Sequence, residues 1–140
     1  MECTVNWMGL DGMSFSAEVG SGHLVNMDGA PDAGGRNLAP RPMELLLAGA
    51  GGCTAFDVVM ILKKARQAVT GCKVKLEAVR AETEPKVFTH INMKFTVTGK
   101  GLDPVRVEKA VNLSHEKYCS ATIMLGKTAE ITHSIEIIEG

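Results

Sequence analysis

The stretch that decides the fold is residues 42–57, which read PMELLLAGAGGCTAFD. A proline suits the first position of an α-helix, and Glu44 suits the positive N-terminal end of that helix. Apolar and small residues continue as far as Leu62, interrupted only by Thr54 and Asp57. We therefore predict a helix that runs from about residue 42 to residue 67.

This predicted helix is apolar on every side, and such a helix must be buried on every side. A single domain of 140 residues can hardly surround a helix of this length by itself. A second copy of the chain would supply the missing cover. The sequence therefore predicts a homodimer.

The remainder of the chain predicts an α+β domain. Closely spaced turns, one of them at residues 10–12, separate three short alternating runs between residues 4 and 27, which is typical of an antiparallel meander. A loop rich in glycine and proline, residues 28–40, is long enough to cover an active site. After the long helix come two alternating strands, a second helix that starts at Pro104, and a closing strand. We predict one domain over residues 1–140.

Composition and charge argue against several classes of protein. The formal net charge is -1 and there is no basic run, whereas nucleic-acid binding needs clustered lysine and arginine. We find no apolar run that reaches the length of a bilayer span, and we expect no membrane partner. The N-terminus opens directly into a strand-like pattern and lacks the features of a signal peptide. We therefore expect a cytoplasmic protein, in which stable disulfides are not expected.

The four cysteines are Cys3, Cys53, Cys72 and Cys119. No two of them have the spacing of a zinc knuckle, and we expect neither a metal nor another cofactor. Cys3 and Cys72 lie in strand-like segments beside apolar residues and are interpreted as buried, inert thiols. Cys53 and Cys119 lie on two separate predicted helices, which favours working thiols. The alternative for Cys53 is a small residue of the core.

A proline that opens a long apolar helix, an acid near its start, a small-residue run that ends in Cys53, and a later helix that closes at Cys119 resemble the OsmC/Ohr family. This family is named for osmotically induced protein C and organic hydroperoxide resistance. The resemblance covers nearly the whole chain in element order. It implies a fold in which antiparallel sheets surround the two long central helices of an intertwined dimer.

The resemblance also implies a thiol peroxidase and assigns roles to the two cysteines. Cys53 would attack a hydroperoxide and become a sulfenic acid, and Cys119 would condense with it to a disulfide. An external dithiol would then reduce this disulfide by exchange.

The accessory groups depart from the family pattern, in which an acid directly follows the proline. That position here is Met43, and Glu44 comes one residue later. At ~100° per residue, Glu44 lies about 180° around the helix from Cys53. The family's arginine lies on an early strand or loop, so that Arg36 or Arg41 would replace it. Arg36 and Glu44 therefore join the candidate catalytic residues of a divergent branch.

Asp57 is a further candidate, because it lies one helical turn beyond Cys53 on the same face. Buried carboxylates are seldom unpaired, so Asp57 is interpreted as the partner of an interface arginine or as a catalytic acid. Two functions stay open for the protein. The first is reduction of organic hydroperoxides or hydrogen peroxide, and the second is a non-catalytic module that binds a small apolar ligand or senses redox state.

Overall fold

The computed structural model describes residues 1–9 and 11–140, and the described elements confirm the α+β class. They form two compact units, residues 1–48 and residues 49–140. The long helix begins in the first unit and continues into the second. The single domain that the sequence predicts stays a prediction.

The first unit contains a three-stranded antiparallel sheet, in agreement with the predicted meander. Its strands follow one another in chain order: β1 (Cys3–Trp7), β2 (Ser14–Val19) and β3 (Leu24–Asp28). Trp7 lies opposite Phe15, and its indole nitrogen donates to the carbonyl oxygen of Gly12 at 3.0 Å. Leu10, in the predicted turn at residues 10–12, lies outside the described residues.

Asp28 ends β3 and organises the loop that follows. It is fully buried, and its carboxylate accepts backbone N–H groups from Leu38 at 3.0 Å, Arg36 at 3.1 Å and Gly29 at 2.8 Å. The bond from Leu38, aided by those from Arg36 and Gly29, holds the pKa of this carboxyl below its usual value. The carboxylate of Asp28 therefore ties the loop to the end of the sheet.

The long helix α1 (Pro42–Lys64) ends three residues earlier than predicted. The N–H of Gln67 donates to the carbonyl of Leu62 at 3.0 Å, and the N–H of Arg66 donates to the carbonyl of Lys63 at 2.9 Å. This pair of bonds is a Schellman motif, in which the residue at the position of Arg66 is left-handed. Arg66 has a φ of 57° where glycine is usual, so the sequence carries no glycine signal for this helix end.

The second unit contains a three-stranded sheet of mixed direction. Its strands are β4 (Ala68–Arg80), β5 (Phe88–Lys100) and β6 (Glu130–Glu139), in that order across the sheet. β4 and β5 are antiparallel, but β5 and β6 are parallel, so the expectation of purely antiparallel sheets is wrong here. The cause is the helical crossover between β5 and β6, formed by α2 (Pro104–Leu113) and α3 (Ser120–Leu125).

The two helices and the sheet share the core of this unit. The central strand β5 alternates sharply and buries one face completely, whereas α1 and α2 each bury one stripe. The largest fully buried apolar side chains are Phe95, Leu62, Ile91, Met93, Val58, Val97, Val107 and Val111. Gly51 lets α1 approach β4, because a β-carbon there would lie 2.8 Å from Cδ1 of Leu76.

Within one chain α1 is buried along one stripe only, not on every side. Leu46, Phe56 and Met60 on this helix stay 51%, 65% and 38% exposed. The helix is 23 residues long, with a mean hydropathy of 2.0 over 18 of them, so by length and composition it is sufficient to cross a membrane. The sequence expectation that no apolar run reaches this length is therefore wrong. Core helices of soluble proteins pass the same test.

Candidate active site

Two thiols and one carboxylate meet in the second unit. The sulfurs of Cys53 and Cys119 and a carboxylate oxygen of Asp57 all lie within 4.8 Å of one another. Helix α1 places Cys53 and Asp57 one turn apart on the same face, as their spacing predicts. Cys119 is completely buried, whereas the other two side chains are half-buried. The cluster is therefore approached from the side of Cys53 and Asp57.

A widened helical turn brings Cys119 to this cluster. Residues 114–118 continue α2 as a π-helical turn, and the N–H of Cys119 donates to the carbonyl of Ser114, five residues back, at 2.9 Å. π-Helical turns are rare in proteins, but those that occur often lie at functional sites. Cys119 then becomes the N-cap of α3, where its sulfur accepts the N–H of Thr122 at 3.4 Å. Cys119 therefore closes the preceding helix, as the sequence predicts, and it also begins α3.

The environment of Cys119 favours its protonated form. Burial raises the pKa of this thiol, the hydrogen bond to Cys53 raises it further, and the bonds from Thr122 act in the opposite direction. The S–H of Cys119 is directed to the carbonyl oxygen of Ala50, which lies 4.0 Å from the sulfur. The pair therefore contains one half-buried thiol and one buried thiol whose protonated form is favoured.

A chain of hydroxyl groups fixes the carboxylate of Asp57. Ser114 Oγ donates to Asp57 Oδ2 at 3.0 Å. Ser114 has a single hydroxyl proton, so the hydroxyl of Thr54, 2.8 Å away, must be the donor to Ser114. Thr54 and Ser114 are both buried. Ser114 was not predicted as a site residue, although it caps α2 at helical spacing from the buried Val107, Ala110 and Val111.

Glu44 has a structural task at the start of α1. Its carboxylate accepts the backbone N–H of Arg41 at 3.0 Å and the guanidinium of the same residue at 3.2 Å. The hydrogen bond from the backbone N–H of Arg41 is the main cause that lowers the pKa of Glu44. The charge and the side-chain hydrogen bond of Arg41 lower it further. This is one half of a capping box, in which the third helical residue bonds the cap. A catalytic role of Glu44 stays a prediction.

Arg36 belongs to the loop of the first unit. Its backbone is held by Asp28 at 3.1 Å, and its exposed guanidinium lies beside Gly12, with Cζ 4.0 Å from the position of a β-carbon there. A role of Arg36 in activating a thiol therefore also stays a prediction.

The remaining two cysteines differ from each other. Cys3 is exposed on β1, so its interpretation as a buried thiol is wrong. Cys72 is half-buried on β4, and burial raises the pKa of its thiol. Cys3 is therefore an accessible competitor in any experiment that measures thiol reactivity.

An apolar groove of about 380 Å³ borders Asp57. Its lining residues include Phe56, Met60, Ile61, Leu113 and Tyr118. The groove offers an apolar surface beside the half-buried end of the thiol cluster.

The site thus consists of a half-buried thiol beside a buried one, on an α+β scaffold with a helical crossover. The sequence model of the family described as OsmC-like protein matches residues 34–134. Protein YhfA of Escherichia coli strain K12 is 49% identical over 138 residues, which cover 99% of this chain and 98% of YhfA. The chain belongs to the OsmC-like family, and the resemblance seen in the sequence is confirmed.

Solved structures share the fold. A hypothetical protein from Aquifex aeolicus VF5 is 29% identical, with a TM-score of 0.85 over 99% of this chain and 96% of that one. The organic hydroperoxide resistance protein OsmC from Legionella pneumophila is 17% identical, with a TM-score of 0.68 over 97% of each chain. At this identity the second likeness shows the fold alone.

Proposed function

We propose that the protein is a thiol-dependent peroxidase that reduces organic hydroperoxides. The observation that carries this proposal is the approach of the Cys53 and Cys119 sulfurs to within 4.8 Å, one accessible and the other buried. Membership of a family that includes organic hydroperoxide resistance proteins supports it.

The first step uses Cys53 as the nucleophile. Its thiolate attacks the terminal oxygen of the hydroperoxide, an S–O bond forms, and the O–O bond breaks. The alkoxide that leaves takes up a proton to become the alcohol. The sulfur of Cys53 is thereby oxidised by two electrons to a sulfenic acid, and the peroxide is reduced by two.

The second step uses Cys119. Its sulfur attacks the sulfenic sulfur, an S–S bond forms, and the hydroxyl leaves with the Cys119 proton as water. An external dithiol then reduces the disulfide by two successive exchanges and is itself oxidised to a disulfide. The three steps consume one hydroperoxide and one dithiol, and they return both cysteines to the thiol form.

The groove beside Asp57 supports an organic substrate. Its apolar walls suit an alkyl or aryl group, and the peroxide group would extend past Asp57, which lines the groove, to reach Cys53. We also propose a homodimer, because the exposed Leu46, Phe56 and Met60 form an apolar stripe along α1 that a second copy of the chain would cover. The proposed location of this dimer is the cytoplasm. A partner packed on this stripe would close the open side of the groove.

Peroxide consumption with a dithiol reductant tests the proposal. The experiment is best done in a Cys3→Ser background, because the exposed Cys3 otherwise reacts as well. Cys53→Ser should abolish turnover and preserve the fold, whereas the matched control Cys72→Ser should retain turnover. Equal turnover in Cys53→Ser and Cys72→Ser would refute the assignment.

The resolving step has its own test. One equivalent of an alkyl hydroperoxide should join Cys53 to Cys119, seen by mass spectrometry as the loss of two hydrogens with no added oxygen. In Cys119→Ser the first equivalent should leave Cys53 as a sulfenic acid, one oxygen heavier, and a second equivalent should carry it to sulfinic acid. Formation of the disulfide without repeated turnover would favour the redox sensor over the enzyme.

A further inference from the structure

We propose that the reduced cluster of Cys53, Asp57 and Cys119 is a binding site for a thiophilic divalent cation of the zinc class. Two cysteine sulfurs and a carboxylate oxygen are a ligand set that zinc accepts. Knuckle spacing, on which the sequence analysis relied, detects sites only within one short segment. These ligands come from α1 and from the cap of α3, up to 66 residues apart in the chain.

The distances suit such an ion. In a tetrahedral site with Zn–S bonds of about 2.3 Å, the two sulfurs lie about 3.8 Å apart. The three ligand atoms are already within 4.8 Å of one another, so small adjustments of side chains complete the geometry. The accessible side of Cys53 and Asp57 provides the entry path and leaves the fourth position to water.

Asp57 is the residue that a thiol reaction explains poorly. Its carboxylate oxygen lies within 4.8 Å of both sulfurs, and the proposed steps at Cys53 and Cys119 give it no part. A cation between the three groups would give the carboxylate a role, because two thiolates and a carboxylate all attract a cation.

The hydroxyl chain behind Asp57 resembles the support that metal ligands receive. Ser114 bonds only Oδ2, at 3.0 Å, and is itself held by the buried Thr54 at 2.8 Å. Among the described residues, Oδ1 of Asp57 has no hydrogen-bond donor. Hydrogen-bond partners of this kind orient a metal ligand, and their removal typically lowers the metal affinity by about 10- to 100-fold.

Binding is redox-neutral and competes with oxidation. The cation displaces a proton from each thiol that still carries one, and the protons pass to the buffer. An occupied site holds both sulfurs, so it blocks alkylation of Cys53 and formation of the disulfide. Cation binding by the reduced cluster does not require peroxide reduction and would also occur where no peroxide is present.

Titration of the reduced protein with Cd²⁺ alone tests the site, because cadmium thiolates absorb in the ultraviolet. In a Cys3→Ser/Cys72→Ser background, we expect one equivalent to bind with the cadmium–thiolate band. Asp57→Asn should lower the affinity by about tenfold or more, and either Cys53→Ser or Cys119→Ser by about 100-fold, since a direct ligand matters at least as much as its support. An unchanged affinity in Asp57→Asn, or no band in the background protein, would overturn the proposal.

A second measurement needs no substitution in the cluster. Zn²⁺ should slow alkylation of Cys53 in the reduced protein, a chelator should restore it, and the Cys53–Cys119 disulfide form should bind no Zn²⁺. Equal Zn²⁺ binding by the reduced and disulfide forms would overturn the site. Absence of peroxide turnover with metal binding intact would remove the proposed peroxidase alone, whereas turnover without metal binding would remove the cation site alone.

Discussion

The hydroxyl of Ser114 is expected to matter strongly for stability, because one buried side chain serves two partners. Ser114→Ala removes the hydrogen bond to the charged Asp57, and such bonds contribute about 1.5–3 kcal/mol. It also leaves the buried hydroxyl of Thr54 without its acceptor, which costs about 1–3 kcal/mol. Since Asp57 is half-exposed and water can replace part of the lost bond, we expect a total loss of about 2–4 kcal/mol.

A second substitution, made together with Ser114→Ala, separates the two contributions to the free energy of unfolding. In the Ser114→Ala background, Thr54→Val removes the orphaned hydroxyl and should recover about 1 kcal/mol or more. Urea unfolding at one fixed protein concentration measures both effects, since the stability of the proposed dimer would depend on concentration. Ser120→Ala, an exposed serine at the start of α3, is the control and should stay within about 0.5 kcal/mol. A loss below about 1 kcal/mol in Ser114→Ala, or no recovery in the double variant, would refute the hydroxyl chain.

Three further predictions concern other parts of the chain. Arg66→Gly should stabilise the protein by about 0.5–1 kcal/mol in urea unfolding, because it relieves a left-handed residue that costs about 1–2 kcal/mol and the flexibility of glycine offsets part of the gain. Asp28 has a lowered pKa, so its carboxylate stabilises the first unit above about pH 4 and loses that effect as pH falls through the folded pKa. Asp28→Asn should therefore be less stable at neutral pH and less pH-dependent below about pH 4, as followed by Trp7 fluorescence. Alkylation of Cys72, whose pKa burial raises, should require higher pH than alkylation of the exposed Cys3, as measured by peptide mass.

Matched controls make these three predictions sharp. Arg66→Ala keeps the β-carbon and should bring no comparable gain, so an equal gain would point away from backbone strain. Asp32→Asn changes an exposed acid in the same loop as Asp28 and should leave the pH profile of Trp7 fluorescence as it is. Identical pH profiles for Cys3 and Cys72 in alkylation would contradict the effect of burial.

Local signals were sufficient for the parts of the fold that depend on neighbouring residues. The start of α1 follows from Pro42 and Glu44, and the shared face of Cys53 and Asp57 follows from the helical period. The end of α1 did not follow, because Arg66 occupies the left-handed position without a glycine signal. Residue type predicts a helix end only when the residue matches the backbone it must adopt.

Long-range features needed the fold itself. The alternation in β6 is the same for parallel and antiparallel pairing, and only the helical crossover before it decides between them. The contact of Ser114 with Asp57 joins residues 57 positions apart, and it depends on the widened turn that places Cys119. No periodicity in the sequence encodes that turn, so the support behind the candidate site could not be predicted.

The complete burial of Cys119 determines which of the two cysteines an oxidant or a reductant can reach. Of the two cysteines of the site only Cys53 is partly exposed, so in the proposed cycle the oxidant and the reductant both react at Cys53. An incoming dithiol would form its mixed disulfide with Cys53 and expel Cys119. A thiol whose pKa is raised is a poorer leaving group, so the burial of Cys119 would slow the regeneration step of the proposed cycle. The same burial that shields Cys119 from solvent would therefore lengthen the lifetime of the disulfide.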